Sequence, residues 1–287
     1  MNSIIKLEDI LDLDNLSKSG NVILVRHYHD NIEKMYNQGL IEEHQSFQLK
    51  PAFKHCKYVV SFIGGERNSG RFFGVFENLG IINGNELPGY SKALEPYCVP
   101  QDRENEYKLN LHRLEEYDKY KDRLIIDWNV PRGWYNSYGN VKSKPVIKIL
   151  PFNFVKDFPG LMNVKLKFGE LKKITENPES HLEWYDSFTR LQAVYLILDN
   201  KTGAQYIGTT YGESGLWQRW SEYVRTNGTG GNKELLALLK TRPDFYNDIQ
   251  FSILEVLTKT ADQKFCTERE SNWKEKLGSR TFGLNKN

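Results

Sequence analysis

Cysteine is nearly missing from this chain. Cys56, Cys98 and Cys266 are the only three in 287 residues, far apart, odd in number and without a CxxC pair. A disulfide framework and a cysteine zinc site are thereby excluded, and a reducing compartment is expected. Long apolar runs are missing as well. None approaches the ~20 residues that a helix needs to cross a bilayer, and the opening MNSIIKLEDILDLDNL is too interrupted by acids for a signal peptide. A cytoplasmic protein without a membrane partner is expected. Charge of one sign is also lacking. The net charge is +2, from 39 Lys+Arg and 37 Asp+Glu, which argues against a protein that works by coating nucleic acid. From Arg190 onward there are 14 basic against 11 acidic residues, and before it 25 against 26. A phosphate-binding surface would have to be local, with the C-terminal part as the favoured place.

What is present supports a packed protein. Hydrophobic residues make up 39% and charged residues 26% of the chain, enough for a core. The length suggests two domains. Aromatics are abundant at 13%, and they serve both cores and base stacking.

The pattern up to Pro151 is mostly strand-like. Ser3–Leu16 reads as a short amphipathic helix, Val22–Val25 as a buried strand, and Asn31–Gly39 as helical. Tyr58–Ile63 and Arg71–Phe76 flank the turn-forming Gly64–Gly70 as a hairpin, and Leu124–Trp128 and Val146–Leu150 read as further strands. Residues 152–188 are irregular and read as a connector. From Gln192 the order becomes β-β-α-α-β-α. Strands at Ala193–Leu198 and Ala204–Thr210 enclose the turn Asp199–Gly203. Helices follow at Leu216–Val224 and Lys233–Lys240, then a strand at Ile249–Val256 and a long helix at Ala261–Leu277. The expected class is α+β, with a β-rich domain at 1–151 and a small three-stranded antiparallel sheet flanked by helices at 189–287.

Within the last helix, Cys266, Glu270, Trp273 and Leu277 share one apolar face. A carboxylate there is costly unless it is paired or binds a metal. Glu268 lies about 200° around the helix, toward water. Glu270 is therefore the metal-ligand candidate, and a salt bridge to Arg219 is the bland alternative.

The paired segments Ala193-Val194-Tyr195 and Tyr206-Ile207-Gly208 resemble the two half-motifs of the GIY-YIG nuclease family, with alanine where the first glycine is usual. Arg219 in LWQRW, Glu270 in ERESNWK and Asn285 in GLNK follow in that family's order. The resemblance covers about 95 of the 287 residues. It implies metal-dependent hydrolysis of phosphodiester bonds in DNA, with Mg²⁺ or Mn²⁺ on Glu270 and a phosphate grip by Arg219. No histidine follows His181. The resemblance therefore leaves Tyr195, with Tyr206 as partner, as general base or water-positioning group. Tyr223, one turn after Arg219, stands where some members carry histidine. Lys201, Arg225, Asn232 and Lys233 are candidate DNA contacts.

The N-terminal part resembles PUA- and EVE-type β-barrels in pattern, with Phe62, Trp128, Trp134 and Tyr135 as a candidate pocket for a flipped or modified base. His27-Tyr-His29 lacks a third ligand and is not read as a metal site. The pairing implies a restriction or genome-defence endonuclease acting on DNA, modified or not, with dimerisation on DNA as an option. A non-catalytic nucleic-acid-binding protein on the same scaffold is the rival from another class, kept open by Ala193; a repair or mobile-element nuclease is the rival within the class.

Overall fold

The computed structural model describes residues 4–97, 105–129, 133–139, 144–213 and 215–286, so Cys98 lies outside the described residues. The chain is mixed α+β and divides into two compact units, Met1–Leu150 and Pro151–Asn287. No helix among the described residues is long and apolar enough to cross a membrane.

The N-terminal unit contains helices α1 (Leu7–Leu11), α2 (Leu13–Ser19), α3 (Ile32–Asn37) and α4 (Ile41–Ser46). Its strands are β1 (Val22–His27), β2 (Phe47–Gln48), β3 (Tyr58–Gly64), β4 (Ser69–Asn83), β5 (Tyr107–Arg113), β6 (Leu124–Asp127), β7 (Tyr135–Ser137) and β8 (Val146–Ile149). The single N-terminal helix expected from periodicity is broken at Asp12, whose φ of 50° is left-handed. The sheet runs β2-β5-β4-β3-β1-β7, with β6 joining β4 and β8. Strand β4 is long because its two halves serve different neighbours, Ser69–Arg71 pairing with β6 and Phe76–Asn83 with β5. Strands β1 and β3 are parallel, which the intervening helices allow by carrying the chain back. All six residues of β1 are buried, as befits a strand covered on both faces. The pleat divides the core: Val22, Leu24, Val60 and Phe62 belong to one cluster, Ile23, Val25, Val59 and Ile63 to another. The expected hairpin is β3–β4. The path ends at β2 and β7, which do not pair with each other, so the described strands do not close the barrel that the PUA/EVE resemblance implied.

The C-terminal unit contains β9 (Lys165–Lys167), α5 (Phe168–Glu176), α6 (Leu182–Thr189), β10 (Gln192–Asp199), β11 (Gln205–Thr209), α7 (Gly215–Arg225), α8 (Lys233–Thr241), β12 (Ile249–Leu257), α9 (Gln263–Lys276) and α10 (Ser279–Phe282). Its sheet has four antiparallel strands in the order β11-β10-β12-β9. The three-stranded expectation changes because residues 152–188 are not a connector. They supply β9 and the buried Phe168, Leu171, Ile174, Trp184 and Phe188 to the main core of this unit. The β10–β11 turn is fixed by Asp199, buried to 1% exposure. Its carboxylate accepts from the Lys201 amide, the Thr202 hydroxyl and Arg242 at 3.0, 2.7 and 2.8 Å. Gly203 supplies the positive φ that closes the turn. Register therefore follows from local chemistry, placing Tyr195 opposite Gly208.

Candidate active site

The pleat of β10 sends Ala193, Tyr195 and Ile197 to the face covered by α5, α6 and α7, and Val194 to the face that carries α9. Tyr206 on β11 shares the face of Tyr195, two positions along from the facing residue. Because β11 is the edge strand, helices from both faces reach it. A cleft of about 470 Å³ opens there, lined by Tyr195, Tyr206 and Gly208 from the hairpin, Gln218, Arg219 and Glu222 from α7, and Glu270 from α9. Four of the expected residues thus meet in one place.

Gly208 is required by contact. A Cβ at this position would stand 2.4 Å from the Tyr195 hydroxyl and 2.6 Å from its ring carbon. Ala193 is fully buried in the core beside Tyr195, so the departure from the usual glycine adds a packed methyl group.

Arg219 organises the centre. Its Nε donates to the Tyr195 hydroxyl at 3.0 Å, one terminal nitrogen to the Gly230 carbonyl at 3.1 Å, and the other to the Tyr223 hydroxyl at 3.2 Å. The hydroxyls of Tyr195 and Tyr223 are 3.1 Å apart. Among the described residues no carboxylate lies within ion-pair distance of Arg219, so its charge is held by neutral oxygens. Burial would weaken its proton, but the neighbouring Tyr195 and Tyr223 oxygens hold it above the ordinary arginine value, and it stays cationic. Burial pushes the Tyr195 and Tyr223 hydroxyls above the usual tyrosine range, with Arg219 pulling the other way. Both are neutral phenols near pH 7.

Glu270 reaches the cleft from α9 and pairs with the buried Lys274 at 2.8 Å, not with Arg219. The inward face of α9 is set by Cys266, Glu270 and Lys274, while Leu277, expected on that face, is 38% exposed. Glu268 is exposed and lines a separate surface groove. The donors around the cleft are two carboxylates, Glu222 and Glu270, with hydroxyls and carbonyls, and no sulfur or imidazole is among its lining residues. That set fits a hard cation such as Mg²⁺, which binds through one or two carboxylates and keeps several waters.

Other expected residues stand elsewhere. Tyr223 is fully buried behind Arg219 and holds it without lining the cleft. Asn285, 1% exposed, gives its amide to β11: its Oδ1 accepts from the Ile207 amide and its Nδ2 donates to the Ile207 carbonyl, each at 2.8 Å. Asn232 caps α8, accepting from Glu234 and Leu235. Arg225 is exposed and pairs with Glu222, and Lys201 and Lys233 are exposed away from the cleft lining. His181 falls inside this unit once the boundary moves to Pro151. Its ring is engaged by the Val155 amide and the Asn177 carbonyl, both at 2.9 Å. In the N-terminal unit, Phe62 and Trp128 pack in one core cluster, whereas Trp134 and Tyr135 pack on Phe53 of the other. The two pairs lie on opposite faces of the sheet and do not form one pocket. Gln218 and Glu222 escaped the sequence reading, although both stand within one turn of Arg219. The Gly230 carbonyl carried no sequence signal beyond a glycine-rich loop.

No family model matches this chain, and no curated protein matches it. Among solved structures, it is similar to a glutamate-to-alanine mutant of the catalytic domain of the intron endonuclease I-TevI. The identity is 20% over 34% of this chain and 94% of that one, with a TM-score of 0.27. A match at that score does not define the fold, and the site stands on this chain's own residues.

Proposed function

We propose that the C-terminal unit hydrolyses phosphodiester bonds in DNA and that the N-terminal unit recognises the DNA. The reading is carried by one observation: Arg219, a cation without a carboxylate partner among the described residues, shares a cleft with Tyr195 and Glu270. Attack on a phosphodiester gathers negative charge on the phosphate oxygens, and a preorganised guanidinium is a strong stabiliser of such charge. Tyr195 is neutral near pH 7, so it acts by orienting the attacking water through its hydroxyl, which is held by Arg219 and hydrogen-bonded to the Tyr223 hydroxyl. Tyr206 lines the approach, and Asn285 serves by fixing β11. Bound at Glu270, Mg²⁺ or Mn²⁺ would supply further positive charge to the phosphate and acidify water.

The test is cleavage of plasmid and phage DNA, modified and unmodified, with each metal and with neither. Glu270→Ala is expected to abolish cleavage while leaving DNA binding nearly unchanged, with some loss of thermal stability because the buried ion pair to Lys274 is broken. Glu268→Ala is expected to cut at the wild-type rate. The reverse pair of results removes Glu270 from the site. A wild-type protein that binds DNA but cuts none of these substrates with either metal would favour a binding role alone.

A further inference from the structure

A second cleft, of about 310 Å³, lies in the N-terminal unit and takes no part in the chemistry above. Its size is at the lower end of small-molecule pockets, roughly 300–1,000 Å³. Two of its walls are exposed aromatics, Tyr28 and Trp134. The Trp134 indole is braced by Phe53, which does not line the cleft and stacks nearly parallel to it, 10° between planes and 5.6 Å between centres. A large ring held flat at a cleft is a stacking platform.

The cleft also contains an unsatisfied donor. Gln45 is 2% exposed and lines the cleft. Its Oε1 accepts from the Ser61 hydroxyl and faces His27 Nε2 at 3.3 Å. Among the described residues its Nε2 has no partner, and neither does Nδ1 of the adjacent His44. A buried donor without an acceptor is costly unless a ligand supplies one. Burial pushes His27 down to about 3 and His44 down to about 4, so both imidazoles are neutral at working pH. No three His, Cys, Asp or Glu side chains among the described residues are placed to share a metal ion. The Arg26 guanidinium, which also lines the cleft, is buried, donates to Asn68 and lies over the Tyr28 and Trp128 rings.

We propose that this cleft takes a nucleobase turned out of its DNA strand, with its face on Trp134 and an acceptor edge toward Gln45 Nε2. The DNA source of the base rests on the nuclease reading; the cleft itself does not. The charged lining is mixed, Arg26 and Lys50 against Glu106, and the imidazoles beside Gln45 are neutral, so the inner part of the cleft does not select an anion. A purely apolar ring would leave the Gln45 amide bare. An uncharged heteroaromatic with acceptors on its edge satisfies both demands, and extrusion from a duplex is how a base reaches such a cleft.

The probe is 2-aminopurine, whose emission responds to stacking, offered to the full chain as the riboside and within a mismatched DNA duplex. A saturable change in the emission of the duplex is expected, with affinity weakened roughly tenfold or more by Trp134→Ala and by Gln45→Leu. Trp134 is at the surface, so its variant reads the cleft even if the buried Gln45 change disturbs folding. Arg219→Ala in the other unit should leave the response unchanged. A duplex response that neither variant weakens, or none at saturating protein, overturns the proposal. A response of the riboside alone overturns the DNA source and leaves a free nucleoside as the ligand. Base uptake by a protein that never cuts DNA would sink the nuclease reading and not this one.

Discussion

Two side chains at the centre of the cleft make opposite demands on substitution. Arg219 uses three donors in three directions, to Tyr195, Tyr223 and Gly230, and lysine cannot reproduce that fork. Arg219→Lys should therefore be nearly as damaging as Arg219→Ala, costing on the order of 3 kcal/mol in the transition state, roughly a hundredfold in rate. Ground-state binding should change little, since one contact among many phosphates is altered. Single-turnover cleavage at saturating enzyme, beside a binding titration at fixed salt, separates the two; a lysine variant within a few-fold of wild type would reduce Arg219 to a diffuse charge. Gly208 demands the absence of a side chain. Gly208→Ala places a methyl group 2.4 Å from the Tyr195 hydroxyl, and Tyr195 is fully buried. Overpacking there should cost about 1–3 kcal/mol of stability and most of the activity. A thermal melt and a cleavage assay within error of wild type would mean that the ring has room to move. These residues were legible in the sequence through the resemblance of their short motifs to the GIY-YIG pattern. What Arg219 touches was not, since the Gly230 carbonyl and the buried Tyr223 hydroxyl are brought to it by tertiary packing.

At the level of elements, periodicity located the hairpin β10–β11, helices α7, α8 and α9, and strand β12 to within a few residues. It failed on β9. Val164-Lys165-Leu166-Lys167-Phe168 does alternate, but over five residues only and running straight into α5; Leu166 is fully buried and the strand pairs with β12. The parallel pairing of β1 with β3 was equally invisible, because partners some 36 residues apart leave no local trace. The consequence is testable by truncation. A fragment of residues 189–287 loses Val164, Leu166, Phe168, Leu171, Ile174, Trp184 and Phe188 from its core. At roughly 1.5–3 kcal/mol for each buried side chain, that loss is comparable to the roughly 5–15 kcal/mol by which domains are stable. It also strips the outer edge of β12, leaving unpaired strand backbone. Residues 151–287 should melt cooperatively, whereas 189–287 should not. A cooperative melt of the shorter fragment would show that β9, α5 and α6 are accessory to the core.

For the molecule as a whole, the titrating groups of the N-terminal unit set an acid limit to stability. His27 is held down to about 3, first by burial and then by His44. His44 is held down to about 4 by burial and by His29. His29 is itself lowered by burial, against the pull of Asp30. Tyr28, Lys50 and Glu106 are the other ionisable side chains lining the same cleft with Arg26. In the unfolded chain these imidazoles take up protons near their ordinary value of about 6.5. Between that value and the folded one the unfolded state binds more protons, so stability rises with pH. It is fully present above about pH 6.5 and is lost as the pH falls toward 4. Two such imidazoles should lower the stability of this unit by on the order of 3 kcal/mol between pH 7 and pH 5. Tyr195 and Tyr223 place the complementary limit on the C-terminal unit. Their hydroxyls are raised in the fold, so their contribution is intact below about pH 10 and lost above it. Urea melts of the full chain at pH 7, 6 and 5 should show the transition of the N-terminal unit moving to lower urea, with an unchanged slope against denaturant, while that of the C-terminal unit stays in place. His44→Gln should flatten the dependence by about half, because Nδ1 of His44 has no partner to lose and glutamine does not titrate. A wild-type midpoint that holds steady from pH 7 to pH 5, or a glutamine variant that falls as steeply as the wild type, would mean that these imidazoles are protonated in the folded state, and with that the neutral lining of the cleft would be lost.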